Sequence, residues 1–240
     1  MVITTNYKRL DGTDLGNFIT KEYVNDFYPE LISSLKHPGL WSCGYNSYGE
    51  LGDGTTISKS SPIQVGSLTN WKQVSCGYRH TTAIKTDGTL WAWGYNASGH
   101  LGDGTIIHKS SPIQVGLLTN WSQVAGGYYH STAIKTDGTL WAWGYNNHGE
   151  LGDGTTVTKS SPIQVGSLTN WKQVSCGYQH TLAIKTDGTL WAWGYNASGP
   201  LGDGTTVRKS SPVQIGLLTN WKQVSCGRYH TLIISEGANW

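Results

Sequence analysis

Four histidines, His80, His130, His180 and His230, stand 50 residues apart, and four aspartates, Asp53, Asp103, Asp153 and Asp203, keep the same spacing. Imidazole is a common metal ligand, and a ring of four could hold a cation. No carboxylate second shell accompanies them, so the simpler expectation is that each His bonds backbone within its own repeat. Each Asp lies alone among Gly and Thr in "LGDGT", which suits capping of its own turn better than calcium ligation. "GDGTTVTKSS" lacks the Gly-Lys pair of a phosphate-binding loop. No Ser/His/Asp or paired-carboxylate constellation stands apart from the repeat. The chain is therefore expected to be no enzyme and to use no cofactor or metal.

The remaining candidates are the positions that break the repeat. Residues 47–50 read "SYGE", and their equivalents read "ASGH", "NHGE" and "ASGP". Residues 56–58 read "TIS", then "IIH", "TVT" and "TVR". Position 79 and its equivalents are Arg79, Tyr129, Gln179 and Tyr229, preceded by Tyr78, Tyr128, Tyr178 and Arg228. The candidate binding residues are Ser47, Tyr48, Glu50, Arg79, His100, His108, Tyr129, Asn147, His148, Gln179, Arg208, Arg228 and Tyr229. They fall in loops expected at one end of the fold, whereas "KTDGT" and "LTN", at the other end, hardly vary. A diversified, aromatic-rich end suits binding.

The elements that must position these loops follow from the period. Trp41, Trp91, Trp141 and Trp191 mark four repeats of 50 residues without an insertion. Such self-similarity signals a repeat architecture. Within one unit, "WKQVSCG" (171–177), "HTLAIKT" (180–186), "TLWAWGY" (189–195) and "SPVQI" (211–215) read as strands. The Asp187–Gly188 pair between the second and third predicts a type I′ hairpin, in which both central residues take positive φ. The Pro of the fourth suits an edge strand, where no donor is needed. Each unit is thus a four-stranded antiparallel meander. Trp91 and Trp93 share one face of their strand and Ala92 lies on the other. Bulky-onto-small packing of such sheets around an axis makes a β-propeller, with a solenoid as the rival.

Composition agrees with an all-β fold. The 240 residues include 32 Gly, 12 Trp and 13 Tyr, but only 2 Phe and 1 Met. A net charge of +2 gives no electrostatic case for nucleic acid or anionic lipid. No apolar run is long enough to insert in a membrane, and the N-terminus shows no classical secretion signal. Cys43, Cys76, Cys176 and Cys226 are expected to be buried free thiols, because equivalent positions of different repeats lie a whole unit apart.

The repeat region opens on a third strand and closes after a second strand. Residues 40–65 and 221–235 are therefore expected to form one composite blade that closes a four-bladed ring, with complete blades at 71–115, 121–165 and 171–215. The rival is an open half-ring that exchanges these ends with a second copy to give eight blades.

"GYRHTTAIKTDGTLWAWGYNASGHLGDGT" resembles the repeat of the regulator of chromosome condensation family. Its signature is Gly–x–x–His–Ser/Thr, a Trp-Gly and a Leu-Gly-x-Gly loop, and the likeness recurs four times over 40–240. Members of that family typically form seven-bladed propellers of slightly longer repeats. The founding member is a nucleotide exchange factor for a small GTPase and binds chromatin through a wedge insertion and a basic tail. Neither is found in this sequence. The resemblance therefore implies the fold and binding of macromolecules through loops, and not exchange activity.

Residues 1–39 lie outside the repeat and are expected to form a short, partly helical docking segment. Thr20 would cap one helix and Pro29 would open a second. Tyr23, Phe27, Leu31 and Leu35 would form an apolar anchoring stripe. This segment faintly resembles the leading segments of bacteriophage tail or fibre proteins. The expectation is a structural or binding protein of a virion, made in the host cytoplasm. Its propeller loops would meet neighbouring virion subunits or a host-surface glycan or protein, within a larger assembly or homo-oligomer. The alternative is an intracellular, cytoplasmic interaction scaffold, with a GTPase among its partners.

Overall fold

A strand such as "HTLAIK" carries apolar or small residues on both sides, so its sheet must be covered on both faces. The chain divides into two units, Met1–Pro38 and Gly39–Trp240. The computed structural model describes residues 39–237, so the expected helices and the stripe Tyr23, Phe27, Leu31 and Leu35 lie outside the described residues.

Every described element is a strand. β1 (Trp41–Gly44) and β2 (Lys59–Gln64) form a two-stranded antiparallel sheet. The first complete blade is β3 (Trp71–Cys76), β4 (His80–Lys85), β5 (Leu90–Gly94) and β6 (Lys109–Gln114), in that order. The second is β7 (Trp121–Gly126), β8 (His130–Lys135), β9 (Leu140–Gly144) and β10 (Lys159–Gln164). The third is β11 (Trp171–Cys176), β12 (His180–Lys185), β13 (Leu190–Gly194) and β14 (Lys209–Gln214). A last pair, β15 (Trp221–Cys226) and β16 (Thr231–Ser235), forms a separate two-stranded sheet. All pairings given for these sheets are antiparallel between sequence neighbours, and Pro112, Pro162 and Pro212 sit on edge strands, as expected.

The Asp-Gly hairpin is not type I′. Among the described residues only Gly has positive φ, so Asp137 stays at negative φ while Gly138 takes +77°. The Gly138 amide donates to Lys135 O at 2.9 Å, and the Lys135 amide donates to Thr139 O at 3.0 Å. This is a type I turn closed by a glycine bulge. Asp137 favours it by accepting from the Thr139 amide (3.0 Å) and hydroxyl (2.7 Å).

The core is not inside the blades but between them. One cluster joins Ile84, Leu90 and Ala92 of the first complete blade to Trp121, Val124 and Trp143 of the second. The next joins Leu140 and Ala142 to Trp171, Val174 and Trp193. The third joins Leu182, Ile184 and Leu190 to Val224. Each fully buried Leu or Ile stabilises its seam by about 2 kcal/mol.

Polar staples repeat with the apolar ones. Gln73 donates to Val124 O (3.2 Å) and accepts from the Val124 amide (3.0 Å). Gln123 and Gln173 accept from Val174 and Val224 in the same way. Trp143 Nε1 donates to His100 O at 2.9 Å, and Trp193 Nε1 to Glu150 O at 2.8 Å.

The expected composite blade is not formed within the chain. β1–β2 and β15–β16 remain separate sheets, and the faces they would share are uncovered. Val74 is 45% exposed, against 2% for Val124, and Leu232 is 68% exposed, against 0% for Leu182. The thiols follow suit: Cys176 is buried, Cys226 half-buried, and Cys43 and Cys76, beside the uncovered end, are exposed, contrary to expectation.

Gly138→Ala tests the hairpin. An added Cβ would lie 2.1 Å from Thr169 O at φ +77°. Strain of this kind costs about 1–3 kcal/mol, so the urea midpoint should fall clearly below that of the parent protein.

Candidate binding face

The Gly-x-x-His segments build the inner rim of one end. The His130 imidazole folds back over Gly127, where any Cβ would come within 2.4 Å of His130 Cε1. Contrary to the expectation of bonding within its own repeat, His80, His130 and His180 each reach the next blade. His80 Nε2 is 2.9 Å from Ser131 Oγ, His130 Nε2 is 3.0 Å from Thr181 Oγ1, and His180 Nε2 is 3.3 Å from Thr231 Oγ1. Burial and neighbouring imidazoles push His130 down to about 3, and burial and His230 push His180 down to about 4. Neutral imidazoles suit a hydroxyl partner. Among the described residues no cluster of metal-ligating side chains occurs.

The two residues before each His carry the aromatic face. The Tyr78 amide donates to Gly127 O (3.1 Å) and the Tyr128 amide to Gly177 O (3.2 Å), so the backbone of one blade is pinned to the next. The side chains are left to meet one another. Tyr78 and Tyr128 stack at 3.9 Å, Tyr128 and Tyr178 lie at 4.2 Å, and Tyr178 and Tyr229 at 5.1 Å. Arg228 lies 4.9 Å from the Tyr178 ring and 5.1 Å from the Tyr229 ring. Arg79 lies 5.0 Å from both Tyr48 and Tyr78 and 5.8 Å from Tyr45. Such cation–π contacts contribute about 0.5–1 kcal/mol each at exposed sites. A hydrogen bond with Tyr128 and the charge of Arg79 lower the Tyr78 hydroxyl below its ordinary value.

The longer loops are organised by a residue that the repeat comparison passes over. Asn96 is fully buried. Its Nδ2 donates to Asp103 Oδ1 (3.1 Å), Thr105 O (3.0 Å) and Ile107 O (3.3 Å), while its Oδ1 accepts from the Leu101 amide (2.9 Å). Asp103 accepts from the Thr105 amide (3.0 Å) and pairs with Lys109 (3.6 Å). The Asp thus closes its own loop, as expected, and the loop surface is freed to vary.

Most of the predicted binding residues gather into this face. Tyr48, His108 and Tyr129 join Tyr95, with ring separations of 4.8 Å for Tyr48–Tyr95, 4.7 Å for Tyr95–His108 and 5.8 Å for Tyr95–Tyr129. His108 also accepts the Asn96 amide at 2.9 Å. Arg208 donates to Asn147 O at 3.4 Å, and His148 lies 5.4 Å from Tyr195. Ser47 is exposed and Gln179 half-buried. Two predicted residues belong elsewhere. His100 is 0% exposed and lies 4.8 Å from His80, so it packs beneath the face and cannot touch a partner. Glu50 is half-buried and accepts the Tyr48 amide at 2.8 Å, so it shapes the loop. The tyrosines Tyr45, Tyr78, Tyr95, Tyr128 and Tyr178 were absent from the predicted set, since a ranking by variability discards residues that hardly vary.

Two of the buried groups, His130 and Glu150, make the pH response testable one residue at a time. His130 is held near 3, so between about 6.5 and 3 the unfolded chain binds the extra proton, and stability is lost as pH falls through that window. His130→Asn should flatten the acid limb of thermal stability, by up to about 1.4 kcal/mol per pH unit. Burial pushes the Glu150 carboxyl up to about 7, so its contribution is present at low pH and lost as pH rises through 7. Glu150→Gln should gain stability relative to the parent at pH 8 over pH 5. Equal slopes in parent and variants would refute both assignments.

Comparison with known proteins places this geometry. The chain matches the RCC1-like domain over residues 34–240. It is 23% identical to human WBSCR16, with a TM-score of 0.75 over 84% of this chain and 54% of that one. It is 21% identical to Prp20p from Saccharomyces cerevisiae, a protein described for its binding to Gsp1p and histones, with a TM-score of 0.71 over 83% of this chain and 52% of that one. A stretch of 69 residues is 36% identical to the ultraviolet-B receptor UVR8 of Arabidopsis thaliana, covering 25% of this chain and 16% of that protein. The chain thus spans about half the length of the solved structures it resembles. The match takes in all four repeats, and the protein belongs to the RCC1-like domain family.

Proposed function

We propose that this protein is a non-enzymatic protein-binding module that captures its partner on the tyrosine–arginine face. The carrying observation is the continuous row Tyr78, Tyr128, Tyr178 and Tyr229, flanked by Arg79 and Arg228. Tyr and Arg are enriched among the residues that dominate binding energy at protein interfaces: Tyr buries a large area with little loss of side-chain entropy, and Arg adds charge and a planar face that stacks on aromatics. The seams hold the backbone beneath them, so little ordering cost remains at binding.

The family supports this reading. Prp20p is a protein studied for binding to Gsp1p and histones, and an intracellular interaction scaffold, with a GTPase among its candidate partners, fits it best. The virion reading draws its support from residues 1–39 alone, outside the described residues. The family match over residues 34–240 lends that reading no support. No helix among the described residues is long and apolar enough to cross a membrane.

Affinity capture with cross-linking mass spectrometry tests the assignment. Tyr128→Ala combined with Arg228→Ser should abolish capture of the partners that the parent protein retains. Losing a central anchor costs about 2 kcal/mol or more, at least a thirtyfold drop in affinity for each of the two. Leu117→Ser, on the opposite end, should leave capture unchanged. If the Leu117 variant loses the partners and the face variant keeps them, the binding end is the other one.

A further inference from the structure

We propose that two copies of this chain close into one eight-bladed ring, each supplying the missing half of the other's end blade. β1 and β16 each have one strand neighbour in their own sheets, so each keeps a free edge. β1–β2 are the third and fourth strands of a blade, and β15–β16 are the first and second. Three complete blades per chain and two shared blades make eight, within the range that propellers adopt.

The chain itself supplies the template for the joint. In the first complete blade Thr81 pairs with Trp93, Thr82 with Ala92, Ala83 with Trp91 and Ile84 with Leu90. Moved by the 50-residue period, these pairs become Thr231 with Cys43, Leu232 with Ser42, Ile233 with Trp41 and Ile234 with Leu40 of the second copy. Ile234 is 58% exposed where Ile184 is 1% exposed, and Trp41, on the other half-sheet, is exposed as well. A groove lined by Leu40, Trp41, Cys43, Val74 and Tyr78 lies where the missing inner strands would run.

The polar groups point to the same occupant. Every internal seam uses a Gln on the trailing blade and a Val amide on the leading one. It also uses a trailing His and a leading Ser or Thr hydroxyl. At the trailing end Gln223 and His230 are exposed and have no side-chain partner among the described residues. At the leading end the Val74 amide and the Thr81 hydroxyl occupy the answering positions. The Thr81 hydroxyl already donates to Glu50 O at 2.9 Å and can still accept, but a generic apolar partner would leave Gln223, His230 and the Val74 amide unsatisfied, at about 1–3 kcal/mol for each one buried. A second copy satisfies them with bonds the protein already makes three times. Closure inside one chain is not the state described, since the two half-sheets stay apart. The four repeats instead follow half of a larger protein of the same fold, with a TM-score of 0.75 over 84% of the chain.

Light scattering on the full chain should give twice the chain mass of 26.1 kDa, and a monomer mass would overturn the proposal. Cys226 lies opposite residue 231 in its own sheet, so the test uses Cys226→Ser/Thr231→Cys: oxidised with diamide, it should bond to Cys43 of the second copy and run as a covalent dimer on a non-reducing gel. The control Cys43→Ser/Cys226→Ser/Thr231→Cys should not. A cross-linked monomer would mean that the ring closes on itself, and no cross-link would mean that another segment covers the edges; either result overturns the proposal. Leu232→Lys, which places a charge in the joint, should give a monomer with an unchanged β-sheet circular dichroism spectrum. A Leu232→Lys dimer would place the contact elsewhere and refute the joint.

Discussion

A four-stranded sheet buried on both faces needs a cover of matching shape on each side, and in this protein neighbouring copies of the same repeat provide it. Ala92 and Leu90 face Trp143 and Trp121 of the next blade, and Gln73 and His80 bridge the same gap with hydrogen bonds. Both hydrogen bonds join residues 51 positions apart. The stabilising unit is therefore the seam between repeats. An isolated repeat would expose both faces, and its stability would be the interface term it lacks.

That constraint explains the division between constant and variable residues. Trp143, Gln123, His130 and Asn146 are spent on seams and on closing loops, so the same residue recurs wherever the same seam recurs. Each loop is held at its base by an Asn–Asp–Thr network and at its inner rim by an amide donated to the next blade. A side chain projecting from such a base can change from Tyr to Arg to Gln without disturbing the fold. Function is therefore placed where the scaffold has already satisfied the backbone.

The repeat made much of the fold legible. Strand order, blade boundaries and the edge prolines follow from hydrophobic alternation and turn residues, which are local signals. Three readings went astray for one shared reason: their answer lay a repeat away. His130 looked like a ligand or a partner of its own backbone, and its acceptor is Thr181. His100 varied among the copies and looked accessible, yet it sits under Tyr95 and Tyr129. Cys76 and Cys176 share a sequence position but not an environment, because only one has a blade laid over it. The Asp-Gly turn is a different failure. A dipeptide allows both type I′ and the bulged type I turn, and Asp137 with Thr139 selected the second.

The sequence by itself determined a four-fold, 50-residue, all-β repeat whose loops differ at one end. Periodicity carries that information because each repeat solves the same local folding problem. Only the tertiary structure decided which way the arc ends. The contacts of Trp, Leu and Gln across the seams set how one blade meets the next, and no residue encodes that alone. The half-sheets β1–β2 and β15–β16 stay apart, while the same seams bring Tyr78, Tyr128, Tyr178 and Tyr229 together into one face.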